Sequence, residues 1–337
     1  MKGYVYYLLL AVIFTMIGWF ANTLYHMPKN SNPITLVKPT PLLKYTIENL
    51  SKTKIAPAQI QIGDKIKDYP KFTSYKFYIN FDPTLTNGPV KKVSGVINIP
   101  DSSPVNQSGS FPVIVMVRGY IDPKNYFPGN GTLASGQFFA NNGFITISPD
   151  FLGYGESDKE PSDVFEARFQ TYTTVMTLIN SVGSLKNWDG KNIFIWGHSN
   201  GGQIALTVSE ILKDSYPTVL WAPVSQPFPG SILYYAFESD DQGKYLVSQL
   251  EKFNETYDSQ KFSLTNYLNL IKAPIQLNQG TSDREVPYWI TDDFAQKLKE
   301  ATVSATYIKY PENDHNMLPN WNSVIENNLQ FFQKYLK

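Results

Sequence analysis

The 337-residue chain contains no cysteine. That absence excludes disulfide frameworks, thiolate metal sites and a cysteine nucleophile. Neither sign of charge is in excess, since 29 Lys and Arg balance 29 Asp and Glu. The basic footprint of a nucleic-acid or anionic-lipid surface is therefore missing, and no nucleic-acid partner is expected. Histidine is scarce, with His26, His198 and His315 the only three. They show no ligand spacing, so neither a metal site nor a cofactor is expected. What the chain does have is 42 % hydrophobic and 15 % aromatic residues, enough to bury a large core and too many for a disordered or fibrous protein.

One apolar run is long. From Tyr4 to Tyr25 no residue is charged, and a helix over that stretch reaches about 33 Å, sufficient to cross a bilayer. Tyr4, Tyr6, Tyr7, Trp19 and Tyr25 lie toward its ends, where aromatic rings favour the headgroup level. Residues 1–27 are expected to be a single-pass signal anchor, a transmembrane helix that leaves the bulk of the chain outside the cytoplasm. Cleavage as a secretory signal, giving a secreted protein, is the alternative. It is disfavoured because Trp19 and Ala21 would occupy positions that call for two small residues. Residues 28–70 are expected to form a linker and N-terminal extension, beginning with the proline-rich stretch of Pro28, Pro33, Pro39 and Pro41.

Beyond residue 70 the pattern alternates. Residues 72–80 and 90–99 are β-branched and aromatic and flank the turn Asn87-Gly88-Pro89, which predicts two antiparallel strands. Nearly continuous apolar runs follow at 111–117, 144–149, 192–197, 218–223, 273–278 and 305–310, as expected for strands buried on both faces. Helix-like segments at 132–142, 162–186, 201–213 and 288–301 separate most of them. Strand alternating with helix predicts an α/β domain over 71–337, with a mostly parallel doubly wound sheet and N-terminal antiparallel strands. Ligands in such sheets bind beyond the carboxyl ends of the strands.

At one of those ends the strand 192–197 runs into Gly197-His198-Ser199-Asn200-Gly201-Gly202 and then a helix-like segment. Gly-x-Ser-x-Gly between strand and helix forms a nucleophile elbow, in which a sharp turn exposes the serine. A serine hydroxyl needs a base oriented by a carboxylate. His26 belongs to the membrane segment, and His198 adjoins the nucleophile and should point away from it. That leaves His315. For the acid, Asp283 follows the strand at 273–279 and lies between serine and histidine in chain order, as this architecture requires. Glu285 is a rival acid, whereas Asp292 and Asp314 are weaker, Asp314 being too near His315 in sequence to orient its ring. The oxyanion should meet the backbone N–H groups of Asn200 and of Tyr120, in the loop after strand 111–117. The hydroxyls of Tyr120 and Tyr126 are alternative donors.

Between Pro223 and Ala273 about 50 residues intervene, more than a simple connection needs. This insert, about 224–271, carries Phe228, Tyr234, Tyr235, Phe237, Tyr245, Phe253, Tyr257 and Phe262. These rings either line a substrate pocket or form the insert's own core packed on the sheet. Glu238, Asp240 and Asp241 either bind a cationic group or form a solvated acidic turn.

The motifs resemble the α/β-hydrolase superfamily, and most of all the catalytic domain of the prolyl oligopeptidase (S9) serine peptidases. The likeness runs over about residues 72–337. It rests on Gly-His-Ser-Asn-Gly-Gly, on the SPDFLGYGES run at 148–157, on IKAPIQLNQGTSDREVP at 271–287 and on YPENDHN at 310–316. The resemblance implies Ser199 as nucleophile, Asp283 as orienting acid and His315 as general base. It also implies a peptide or a small acyl ester or amide as substrate. Arg118 stands where many relatives carry His, and Gln279 replaces the usual His before Gly-Thr. The stretch between the apolar segment and the first strand is too short for a β-propeller. The expected function is a membrane-anchored serine hydrolase, foremost an S9-like peptidase. A carboxylesterase and a catalytically silent binding module on the same fold are the alternatives.

Overall fold

The computed structural model describes residues 39–101, 109–236 and 241–337, with positions 15, 16 and 22. The apolar run expected to anchor the chain lies outside them, apart from those three positions. Among the described residues no helix is long and apolar enough to cross a membrane. One compact unit extends over Thr40–Lys337, so the folded part begins some thirty residues before the expected start at 71. Leu42, Tyr45, Ile47 and Leu50, on a helical turn Pro41–Tyr45 and the short helix α1 (Ile47–Leu50), are all buried. Four anchors in so short a stretch, next to prolines, read in sequence as an extended tether.

Nine strands form one sheet: β1 (Gln61–Asp68), β2 (Phe72–Phe81), β3 (Lys91–Pro100), β4 (Phe111–Val117), β5 (Ile145–Pro149), β6 (Trp188–His198), β7 (Thr218–Trp221), β8 (Ile275–Gly280) and β9 (Ala305–Tyr310). Their order is β1-β2-β3-β5-β4-β6-β7-β8-β9. The first three pair antiparallel, β3 also meets β5 antiparallel, and every pair from β5 through β9 is parallel. Strand β1 was not foreseen. Nearly all of its residues are exposed at the sheet edge, so it lacks the apolar alternation that marks a strand.

The central strands are apolar throughout because they feed two cores. Val113, Val115 and Val117 join one buried cluster, while Ile114 and Met116, pointing the other way, join the second. Helices α2 (Leu133–Asn141) and α8 (Trp321–Lys334) supply Phe139 and Phe332 to the second cluster. Helices α3 (Val164–Ser181) and α4 (Asn200–Leu212) cover the opposite face. Helix α3 starts where Asp163 accepts from the backbone N–H groups of Phe165 and Glu166, a capping arrangement that satisfies two free donors.

The insert carries α5 (Gly230–Ala236), α6 (Lys244–Asn254) and three helical turns, and the main chain then reaches α7 (Tyr288–Glu300) by way of β8. Phe228, Phe253 and Phe262 are buried. Phe262 stacks on Phe169 of α3 at 4.8 Å, and Phe253 meets Phe165 at 4.7 Å. These rings therefore pack the insert onto the domain. Tyr234 and Tyr245 are exposed. Asp241 accepts from the N–H groups of Gly243 and Tyr245 at the start of α6. Phe237, Glu238 and Asp240 lie outside the described residues.

Candidate active site

Strand β6 delivers Ser199 to the carboxyl edge of the sheet in a conformation that side chains avoid, with φ 56° and ψ −123°. Backbone bonds hold it there. Its N–H donates to the Trp221 carbonyl at 2.9 Å, and its own carbonyl accepts from Val224 N–H at 3.0 Å. The turn closes so tightly that a Cβ at position 201 would lie 2.1 Å from the Val117 carbonyl oxygen. Gly197 is similarly confined: a Cβ there would lie 2.8 Å from the Gly201 oxygen. Helix α4 begins at Asn200 directly behind the serine, which aims free N–H groups at the reacting centre.

Asp283 and His315 come together from the loops after β8 and β9. His315 Nδ1 lies 2.9 Å from Asp283 Oδ2, and both residues are buried. Burial alone would raise the Asp283 carboxyl. The His315 ring, the Val286 N–H and the Gln279 amide outweigh it and hold the carboxyl below its ordinary value. An ionised carboxylate only accepts, so Nδ1 donates to it, and in a neutral ring Nε2 is the nitrogen that bears the lone pair. In this resting geometry Nε2 lies 3.5 Å from Glu285 Oε2, on an exposed side chain. Among the described contacts no hydrogen bond joins Ser199 Oγ to His315.

The rival acids are engaged differently. Asp314 accepts from the N–H groups of Asn316 and Leu318 within its own loop. Asp292 binds Tyr307 and Lys309. Glu285 faces the opposite nitrogen of the ring from Asp283.

Two supporting residues went unassigned in sequence. His198, expected to turn away from Ser199, lies against His315, with ring centroids 4.6 Å apart. Its Nε2–H donates to the His315 carbonyl at 2.9 Å. Gln279 donates to Asp283 Oδ2 at 3.0 Å and to the Val286 carbonyl, and accepts from Thr291. The only sequence signal for either was position: one immediately before the serine, the other four residues before the acid.

Gly119 approaches the serine so closely that a Cβ there would lie 3.1 Å from Ser199 Cβ. The next residue, Tyr120, has an exposed side chain. Tyr126, an alternative donor, instead gives its hydroxyl to Asp150. Asp150 is buried, which raises its carboxyl even though Ser94, Tyr126 and Arg118 act against the rise. The buried Arg118 guanidinium lies 4.0 Å from the Tyr154 ring centre and 4.7 Å from that of Tyr126, and donates to the carbonyls of Gly119 and Asp150. Arg118 thus ties the loop after β4 to the loop after β5. Beside Asn200 these loops and α3 enclose a cavity of about 250 Å³.

A mostly parallel sheet that presents a serine at a strained strand-to-helix turn defines the α/β-hydrolase fold. Solved structures share it. An acetyl xylan esterase from Thermoanaerobacterium has a TM-score of 0.60 at 13 % identity, covering 88 % of this chain and 95 % of that one. An acetyl xylan esterase from Paenibacillus matches with a TM-score of 0.60 at 20 % identity, over 89 % and 96 %. A putative dipeptidyl aminopeptidase IV from Bacteroides ovatus gives 0.53 at 17 % identity, over 83 % of this chain but 36 % of that one. No curated protein sequence matches the chain. Residues 132–337, well over half of the chain, match the prolyl oligopeptidase family, and the protein belongs to that family of serine hydrolases.

Proposed function

We propose that this protein is a membrane-anchored serine hydrolase that cleaves a peptide, or a small acyl ester or amide, through an acyl-enzyme. The observation that carries the reading is the buried Asp283–His315 pair, which engages Nδ1 and makes Nε2 the acceptor of the neutral ring that the mechanism uses. Ser199 Oγ attacks the scissile carbonyl carbon while His315 Nε2 takes its proton. The backbone N–H groups of Asn200 and Tyr120 hold the oxyanion. When the intermediate collapses, the proton passes from Nε2 to the leaving amine or alcohol. Water then attacks the acyl carbon, gives a proton to Nε2, and the second collapse returns that proton to Ser199.

One observation favours the ester reading within this class. The fold covers nearly the whole length of two acetyl xylan esterases but about a third of the dipeptidyl aminopeptidase. Membrane anchoring rests on the uncharged run from Tyr4 to Tyr25.

The test is labelling of the full chain in detergent with a fluorophosphonate probe and mapping of the modified peptide. Label on Ser199 that disappears on heat unfolding and in His315→Ala is the expected result. A folded protein that takes no label overturns the reading in favour of a silent binding module. Recovery of the full chain in the soluble fraction after cell breakage would overturn the anchor.

A further inference from the structure

The cavity beside Asn200 has a chemistry that the triad does not use. Its lining includes the apolar side chains of Leu152, Val164 and Ile204 together with two arginines, Arg118 and Arg168. Arg168 projects from α3. Its terminal nitrogens contact only neutral oxygens, Gln203 Oε1 at 2.6 Å and Asn200 Oδ1 at 3.4 Å. Among the described residues it makes no ion pair. Its Nε is buried without a partner, and so is the Nε of Arg118, a residue only 5 % exposed. A buried donor left unpaired is costly, and two guanidinium donors on one cavity are paired most strongly by an anion.

The surrounding charge leaves that demand unmet. Asp150, the carboxylate coupled to Arg118, already receives the hydroxyls of Ser94 and Tyr126. Glu160, on an exposed loop, is the carboxylate at the cavity rim. Asp150 sets its charge against Arg118, whereas Arg168 has no carboxylate within ion-pair reach among the described residues. Asn200 and Tyr120, whose N–H groups would hold the oxyanion, border the same space, so a group seated there lies on the carbonyl-oxygen side of the scissile bond.

We infer that this cavity, with Arg168 as its anchor, recognises a carboxylate on the substrate. The enzyme's preferred substrates are then esters or amides that carry a free carboxylate a few bonds from the scissile carbonyl, such as half-esters of dicarboxylic acids. The inference rests on the serine-hydrolase reading above and adds the substrate's charge to it. Arg168 matches a carboxylate because its planar fork pairs both oxygens at once. The side chain of Asn200, bound to Arg168, links the occupied anion site to the residue that donates to the oxyanion.

The experiment compares matched esters on the full-length protein. On the acyl side, mono-para-nitrophenyl glutarate is set against para-nitrophenyl pentanoate. On the alcohol side, the butyrate ester of glycolic acid is set against ethyl butyrate, followed by proton release. On one arm kcat/KM should favour the carboxylated ester by about tenfold or more, the scale of one charge-assisted bidentate contact. Arg168→Gln should bring that ratio to about one, Arg168→Lys should retain part of it, and Glu160→Gln should raise it. Fluorophosphonate labelling of Ser199 in each variant reports an intact site. Neutral esters preferred on both arms, or a ratio unchanged in Arg168→Gln, would overturn the carboxylate site while leaving the hydrolase reading in place. Failure to turn over any ester, together with failure to label, would remove both.

Discussion

His198 lies against His315 with ring centroids 4.6 Å apart and donates its Nε2–H to the carbonyl of that same residue. The contact ties the loop that carries His315 to the end of the strand that leads into Ser199. Burial, reinforced by the neighbouring His315 ring, pushes the His198 pKa from 6.5 down to about 3. Between those values the unfolded chain binds a proton that the folded one refuses, so stability must fall as pH falls. The loss from this group should reach about 2 kcal/mol by pH 5 and grow until the folded pKa is passed. His198→Gln keeps an N–H donor and removes the titration. Urea midpoints measured at pH 7, 6 and 5 should fall for the natural protein and fall less steeply for the variant; equal slopes would refute the assignment.

Asp283 and Glu285 approach opposite nitrogens of the His315 ring, at 2.9 Å and 3.5 Å. The carboxylate on Nδ1 sets the tautomer, whereas the one near Nε2 stands on an exposed side chain. Asp283→Asn should therefore lower kcat about a thousandfold or more, the scale of losing the correct tautomer in such a triad. Glu285→Gln should leave kcat within about threefold, because the Glu285 side chain is exposed and solvent screens its charge at the ring. Steady-state rates on one ester decide it, and a larger loss in the Glu285 variant would exchange the two roles.

Gln279 spends its amide N–H groups on Asp283, Gly280 and Val286 and its carbonyl on Thr291. Gln279→Leu would remove a donor from a buried carboxylate and strand the Thr291 hydroxyl, at a cost of roughly 2 kcal/mol. The effect should appear as a tenfold or greater fall in kcat with KM nearly constant, since Gln279 acts through Asp283 and not on bound substrate. A change confined to KM would point to a different role.

How much of this was legible depended on which force places each residue. Strands β4 and β6 stood out because residues on both their faces are buried, so Phe111–Val117 could only read as a continuous apolar run. The elbow stood out because steric closeness at Gly197 and Gly201 leaves no room for a side chain. The edge strand β1 did not, since exposed Lys65 and Lys67 carry no burial pattern. Nor did the partners of His198, Gln279 and Arg168, whose contacts lie across loops that only the folded sheet brings together. The insert's aromatics were visible as rings, but the stack of Phe262 on Phe169 joins residues 93 positions apart, and no local pattern reports it.

Ser199 offers the sharpest separation of stability from chemistry. At φ 56° and ψ −123° its backbone occupies a region in which a Cβ costs about 1–3 kcal/mol, and the bonds to Trp221 and Val224 keep it there. Glycine tolerates that conformation but loses about 0.5–1 kcal/mol through the added freedom of the unfolded chain. Ser199→Gly should consequently abolish turnover while raising stability by about 1 kcal/mol, and Ser199→Ala, which keeps the Cβ, should abolish turnover with little gain. Thermal melting of the two variants beside the natural protein distinguishes the cases. If glycine gives no more stability than alanine, then the elbow stores no strain and the geometry of the serine is set by its hydrogen bonds alone.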